Sequence, residues 1–174
     1  HDLERTVKAL ASGSQLSSMS GRSADYAIAE QLRAQVKGME AATKNAESAV
    51  SFFQVAEGGL NEQNNILIRL RELGIQAASD TVSDKERDMI QQVFTQLSQE
   101  FDRIAKTTTY GSAKLLSGEN REFEFQVGAN KGEENIIKYR TDQNTTASEL
   151  YIDGLRVDGK RDARNALETI DVAL

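Results

Sequence analysis

The sequence contains no cysteine, no proline and no tryptophan, and its one histidine is His1. Without cysteine there is no disulfide, no thiolate metal site and no thiol nucleophile. With histidine confined to the first position, imidazole catalysis and His-ligated metals fall away as well. Aromatic residues make up only 6% of the chain, which suits long helices over thin cores better than a compact enzyme. No apolar run approaches the roughly 18 residues of a membrane-spanning helix, and no signal-peptide pattern opens the chain. The net charge of −6 argues against a nucleic-acid partner, which calls for a basic face. The 174 residues suffice for one domain.

What the chain does have is heptads. From 24 to 79, apolar or small residues recur at Ile28, Leu32, Met39, Ala42, Ala46, Ala49, Phe53, Ala56, Leu60, Leu67 and Leu70. The spacing alternates four and three, with Gln35 and Gln63 in the two polar slots, and predicts one long helix with a narrow contact stripe. At 1.5 Å per residue it spans roughly 80 Å, so it must lie along other helices or other subunits. Gly58 and Gly59 inside it each cost about 1 kcal/mol relative to Ala, which points to close helix approach or a local bend. Leu70, Phe53, Leu60 and Phe101 are the expected packing residues.

Around this helix, residues 1–11 read as a helical lead-in and 12–23 as a Ser-rich loop, with Ser23 or Asp25 as a cap. The long helix ends near 80–83, where Ser83-Asp84-Lys85-Glu86 fits a capping box. A second helix carries Ile90, Phe94, Leu97, Phe101 and Ile104, and the short connection predicts antiparallel packing. Residues 107–118 read as irregular. Phe123, Phe125 and Val127 alternate on one face of a strand, and 135–140 supplies its hairpin partner. Residues 141–149 read as polar loop, and Asp153-Gly154 within 151–157 signals a second hairpin. A last helix starts at Asp162. Leu3, Val7 and Leu10 at one end, and Ala163, Leu167, Ile170 and Leu174 at the other, are already periodic. Both ends therefore read as cut through helices, as in a fragment of a longer protein. The expected fold is mainly α: a long antiparallel, coiled-coil-like helical rod over 1–107, a β-hairpin element over 121–157, and the start of a truncated carboxy-terminal helix over 162–174.

No constellation assembles catalysis. Glu133 with Glu134, and Asp84, Glu86 and Asp88, read as solvated faces. No window has the ligand spacing of a Ca²⁺ loop. Gly128 and Gly132 lack the Gly-Lys-Ser/Thr ending of a phosphate loop. Ser residues have no base. Asn144-Thr145-Thr146 fits a glycosylation pattern that a polar loop explains as well. The expectation is no enzyme, no cofactor and no metal. Arg69, Glu72, Leu73 and Gln76 lie beside the seam, an exposed Leu among charges. That is what a helix offers a partner, although spacing alone favours a surface stripe with local ion pairs.

At these residues the chain resembles bacterial flagellin. Leu10-Ala11-Ser12-Gly13 is similar to the family's amino-terminal Leu-Ser-Ser-Gly. Ala27-Ile28-Ala29, with Leu32, Arg33, Gln35 and Gly38, fits the start of its long helix. Ala56-Glu57-Gly58, Leu60 and Glu62, then Arg69, Arg71-Glu72-Leu73 and Ile75-Gln76, are its most specific stretches. Phe101-Asp102-Arg103-Ile104-Ala105 fits the second helix, and Phe125-Gln126-Val127-Gly128-Ala129-Asn130 the hairpin phrase. Ala166-Leu167, Ile170-Asp171 and Ala173-Leu174 look like the opening of the carboxy-terminal helix.

The resemblance implies an extracellular filament subunit of the bacterial flagellum, exported without a cleaved signal peptide and polymerising through its helical core for motility. Other flagellin subunits, an export chaperone and a filament cap are its implied partners; no nucleic acid or membrane is. Terminal helices and variable outer domains are expected to be missing, so the isolated chain should stay monomeric. Gln15-Leu16-Ser17-Ser18-Met19, then Gly21-Arg22, replaces the family's Arg-Ile-Asn-Ser-Ala and Asp-Asp, altering the charge of any contact there. Many flagellins meet an animal Toll-like receptor through a long-helix Arg and Leu, matching Arg69 and Leu73, and a second-helix Glu whose position holds Val93. The apolar Val93 implies weakened recognition. The alternatives are a hook–filament junction protein and, from another class, the helical signalling rod of a chemoreceptor, which should lack the hairpin at 121–140.

Overall fold

The structure, a computed structural model, describes Glu4, Val7 and residues 23–174. The expected lead-in helix, the Ser-rich loop and the motifs at 10–13, 15–19 and 21–22 lie otherwise outside the described residues; Glu4 and Val7 are helical. The elements follow in the order α1 Ser23–Ala77, α2 Asp84–Thr107, β1 Thr109–Tyr110, β2 Ala113–Lys114, β3 Glu122–Gln126, β4 Ile136–Arg140 and α3 Lys160–Ala173. The protein is mainly α, as the heptads predict, with small β-hairpins.

α1 is one unbroken helix of 55 residues. Its buried set is Ala42, Ala49, Phe52, Ala56, Gln63, Leu67, Leu70, Leu73, Gly74 and Ala77. The every-seventh positions 42, 49, 56, 63 and 70 match the seam read from the sequence, and so does Leu67, but at 53 and 60 the burial shifts to the preceding residue. Phe52 is fully buried whereas Phe53 is 37% exposed, and Leu60 is 45% exposed. The expected packing roles of Phe53 and Leu60 are therefore corrected to Phe52 and the smaller Gly59. At 52 and 53 two adjacent Phe residues both fit a four–three spacing, and only the neighbours choose between them. Ile28, Leu32 and Met39 also sit in the expected stripe, yet all three are more than half exposed.

Gly59 explains the choice. A Cβ there would meet the Thr108 side chain at 2.7–2.9 Å and Leu116 Cδ1 at 2.8 Å, while one at Gly58 would meet nothing within 4 Å. Gly59 is thus a close-approach glycine. No Leu could occupy that line.

The chain folds into two units, residues 1–47 with 125–137, and residues 48–124 with 138–174. In the first unit the hairpin tip meets the early part of α1. Asn45 Nδ2 donates to the Gln126 carbonyl at 2.9 Å, and Gln126 Nε2 donates to the Gly128 and Asn130 carbonyls at 2.8 and 3.0 Å. Gly38 leaves room for Ala129, whose Cβ would stand 3.2 Å from an added methyl.

In the second unit the rest of α1 packs against α2 and α3. The core joins Leu67, Leu70, Leu73 and Ala77 to Ile90, Phe94 and Phe101 of α2 and to Ala163, Ala166 and Ile170 of α3, with Ala147, Ile152 and Val157 entering from the intervening segment. Gln63 Nε2 donates to the Phe101 carbonyl and Arg87 Nε to the Ala77 carbonyl, so α1 and α2 run antiparallel as expected. The capping box at Ser83 is present in full. Phe52 anchors an aromatic cluster, with Tyr110, Phe123 and Tyr139 ring centroids at 5.5, 4.9 and 5.6 Å.

The hairpin expected at 121–127 and 135–140 forms as β3 and β4, and Phe123, Phe125 and Val127 share its half-buried face. Two expectations fail. Residues 107–118 are not irregular throughout, because β1 and β2 pair antiparallel around Gly111. Residues 151–157 do not make a second hairpin: the Asp153-Gly154 turn closes with Leu155 N–H to the Ile152 carbonyl at 3.3 Å, but no strands flank it. The backbone groups that would form a ladder go instead to α2. Gln91 accepts the Val157 N–H, Gln91 Nε2 donates to the Leu155 carbonyl, and Ser98 Oγ to the Ile152 carbonyl. Ile152 and Val157 are driven into the core, fully buried.

Candidate partner face

The sequence-predicted face lies on the last turns of α1. Arg69 projects into solvent and donates to Glu72 at 2.5 Å, one helical turn on. Gln76 is exposed beside them. Leu73 is not: it is 6% exposed and belongs to the core. The expected exposed Leu among charges is corrected on this point. The seam widens where α1 meets two helices at once, and Leu73 falls on the wider stripe. Val93 is 44% exposed on α2. Arg69, Glu72 and Gln76 are thus exposed at helical spacing on α1 and Val93 is exposed on α2, while Leu73 is buried.

The surroundings are charged and locally paired. Arg71 Nε donates to Asp171 of α3 at 2.6 Å, and Lys160 Nζ to Asp80 at 2.5 Å. The Lys160 hydrogen bond holds the Asp80 carboxyl below the ordinary aspartate range. Glu86 is likewise held low, by the Ser83 hydroxyl and backbone N–H of the capping box. Asp84 is bound to Arg87, whose guanidinium also donates to the Ala77 and Ser79 carbonyls at the end of α1. Asp84 and Glu86 thus have structural tasks. Among the described residues no three carboxylates or histidines gather as a metal site would require. Asn144 is half-buried, and its Oδ1 accepts from the Thr146 N–H and hydroxyl.

Two surface residues escape the reading from sequence. Ile68 and Ile75 are 44% and 50% exposed, seven residues apart on one line of α1. Their spacing is a visible signal, masked by the stronger seam beside it. Further along α1, Ile28, Leu32, Val36 and Met39 are 57%, 56%, 55% and 60% exposed.

These features define a mainly α protein built on one heptad helix, with apolar side chains left at the surface at helical spacing. The family description "Bacterial flagellin N-terminal helical region" matches residues 1–121. Polar flagellin A of Vibrio parahaemolyticus is 38% identical over 151 residues, which cover 85% of this chain and 40% of that protein. The structure of FliC from Burkholderia pseudomallei is 35% identical, with a TM-score of 0.52 over 56% of this chain and 37% of the other. The crystal structure of Bacillus cereus flagellin shares the fold at 22% identity, with a TM-score of 0.63 over 75% of this chain and 74% of the other. The chain belongs to the bacterial flagellin family. It spans 40% of the length of the Vibrio relative.

Proposed function

We propose that this chain is the helical core of a structural, non-enzymatic subunit of the extracellular flagellar filament, polymerising with copies of itself for motility. The observation that carries this reading is the apolar line on α1. Ile28, Leu32, Val36 and Met39 keep more than half their surface in water, in a stretch of α1 where no residue before Ala42 is buried among those described. Burial of such side chains yields about 1.5–3 kcal/mol each, enough for a modest set per subunit to hold an assembly. The whole of 1–174 acts as one core domain in this reading, and an export chaperone and a filament cap are its partners before assembly. The test is expression, in a flagellin-null bacterium, of a full-length flagellin that carries this chain as its core. Long filaments and restored swimming are expected. A short cap of protein at the hook tip without filaments would move the junction reading ahead.

The same face supports a second partner, an animal Toll-like receptor, met through Arg69, Glu72 and Gln76 of α1 and Val93 of α2. Val93 offers no charge where the family resemblance implies a carboxylate, so binding is weak. Val93→Glu should tighten a receptor titration; unchanged affinity would remove Val93 from the contact. Leu73 contributes through packing of α1 and not by touching the receptor.

A further inference from the structure

Two Asp-Gly dipeptides stand five residues apart, Asp153-Gly154 and Asp158-Gly159. Their covalent chemistry is the same and their settings are opposite. An Asp-Gly bond isomerises when the glycine amide nitrogen attacks the aspartate Cγ. The N–Cγ bond forms, the amide proton and the carboxyl hydroxyl leave as water, and a five-membered succinimide results. Water then adds to either carbonyl. Opening at the α-carbonyl leaves the main chain running through the side-chain carbon, an isoaspartate of unchanged mass. The reaction needs a mobile, neutral carboxyl and an unhindered glycine nitrogen.

Asp153 and Gly154 are both exposed, Gly154 has φ +75°, and the space a Cβ would fill beside it is empty to 4 Å. The N–H groups of Ile152, Asp153 and Leu155 donate to the Ala147, Ala147 and Ile152 carbonyls; among the described residues the Gly154 N–H has no such acceptor. No side-chain hydrogen bond or ion pair among the described residues holds the Asp153 carboxylate. Asp158 is the reverse. Arg156 Nε lies 3.1 Å from both of its oxygens, and an Arg156 terminal nitrogen makes a further close contact. The Asp158 side chain is only 19% exposed. Gly159 caps α3, its carbonyl accepting the Ala163 N–H at 2.8 Å, and Asp162 Oδ2 lies 2.6 Å from where its Cβ would be.

We infer that Asp153 is a spontaneous isomerisation site of the folded protein and that Asp158 is protected by its clamp. The Arg156 hydrogen bonds also hold the Asp158 carboxyl below the ordinary range, so its neutral form is scarce. Modification at Asp153 inserts a carbon into the turn between Ile152 and Val157, both anchored in the core, so it loosens the segment that covers α2. The product is a substrate for the class of methyltransferases that esterify isoaspartyl carboxylates.

The experiment ages the 174-residue chain in mildly acidic buffer at physiological temperature and follows both sites over weeks. Trypsin separates them, since cleavage after Arg140, Arg156 and Lys160 gives peptides 141–156 and 157–160. Electron-transfer fragmentation distinguishes the isomers, and methyl transfer by an isoaspartyl methyltransferase counts them. Isoaspartate at 153 is expected to form at least about tenfold faster than at 158, a difference of ~1.4 kcal/mol in barrier. In denaturant the two rates should converge. Arg156→Ala, in which both sites share tryptic peptide 141–160 and are told apart by fragmentation alone, should raise the rate at 158 and leave that at 153 unchanged. Equal rates in the folded protein, a faster Asp158, or no conversion at 153 while the denatured chain converts would each overturn the inference.

Discussion

Phe52 and Phe53 are chemically identical neighbours with different tasks. Phe52 is fully buried in a cluster with Tyr110, Phe123 and Tyr139, whereas Phe53 keeps 37% of its surface in water and touches Phe52 and Tyr139 edge-on. Phe52→Ala is expected to cost about 3–5 kcal/mol in a urea titration. Phe53→Ala should cost about 1 kcal/mol or a little more, mainly through its ring contacts. Equal losses would show that the heptad position does not decide burial. The two glycines give a contrast in sign. Gly58→Ala adds a methyl to open space on a helix and should stabilise by up to about 1 kcal/mol. Gly59→Ala drives its methyl into Thr108 and Leu116 and should destabilise by about 1–3 kcal/mol. Thermal melts of the pair measure both.

The connection between α1 and α2 is held by two devices that act on helix ends. Arg87, 8% exposed, reaches back to the Ala77 carbonyl that α1 leaves unpaired and to the Ser79 carbonyl of the connection, and is steadied by Asp84. Ser83 and Glu86 close the amino end of α2 through the reciprocal box. Ser83→Ala should cost about 1 kcal/mol, read from the denaturation midpoint. The box also has a pH signature. Glu86 is held below the ordinary glutamate range in the folded protein by Ser83, so its stabilisation is full above the unfolded value and is lost as pH falls through the folded one. Asp80 under Lys160, Glu100 under Arg103 and Asp158 under Arg156 are shifted the same way. Stability should therefore decline together with these carboxylates on acidification. The decline should be smaller in Glu86→Gln than in the parent protein, and an identical acid limb in both would deny the box its electrostatic part.

At the scale of the molecule, the hydrophobic inventory is divided between a core that is finished and a surface that is not. The second unit closes around Leu70, Phe94, Phe101, Ile152 and Ile170, while α1 carries exposed Ile28, Leu32, Val36 and Met39 in its early turns. If those four form the subunit contact proposed here, Leu32→Lys with Met39→Lys should abolish filaments in the complemented bacterium while leaving the melting transition of the 174-residue chain nearly unchanged. Loss of both would assign the positions to folding.

The sequence by itself determined the helices, the capping box and the first hairpin, because each rests on spacing within a few residues: four–three periodicity, Ser83 three before Glu86, alternation at Phe123, Phe125 and Val127. It also carried the family resemblance, which lay in local phrases such as Arg71-Glu72-Leu73. Only the tertiary structure decided which of two adjacent residues on α1 faces inward. Phe52 against Phe53 depends on Tyr110, Phe123 and Tyr139, and Gly59 against Leu60 on Thr108 and Leu116, all distant in sequence. The same holds for Leu73, drawn inward where α2 and α3 meet α1, and for the Asp153-Gly154 turn. There a sound local hairpin signal lost to Gln91 and Ser98, which offered its backbone other partners, and to a core that took in Ile152 and Val157. Local hydrogen bonding and periodicity are written in neighbouring residues; burial is settled by whatever the rest of the chain brings alongside.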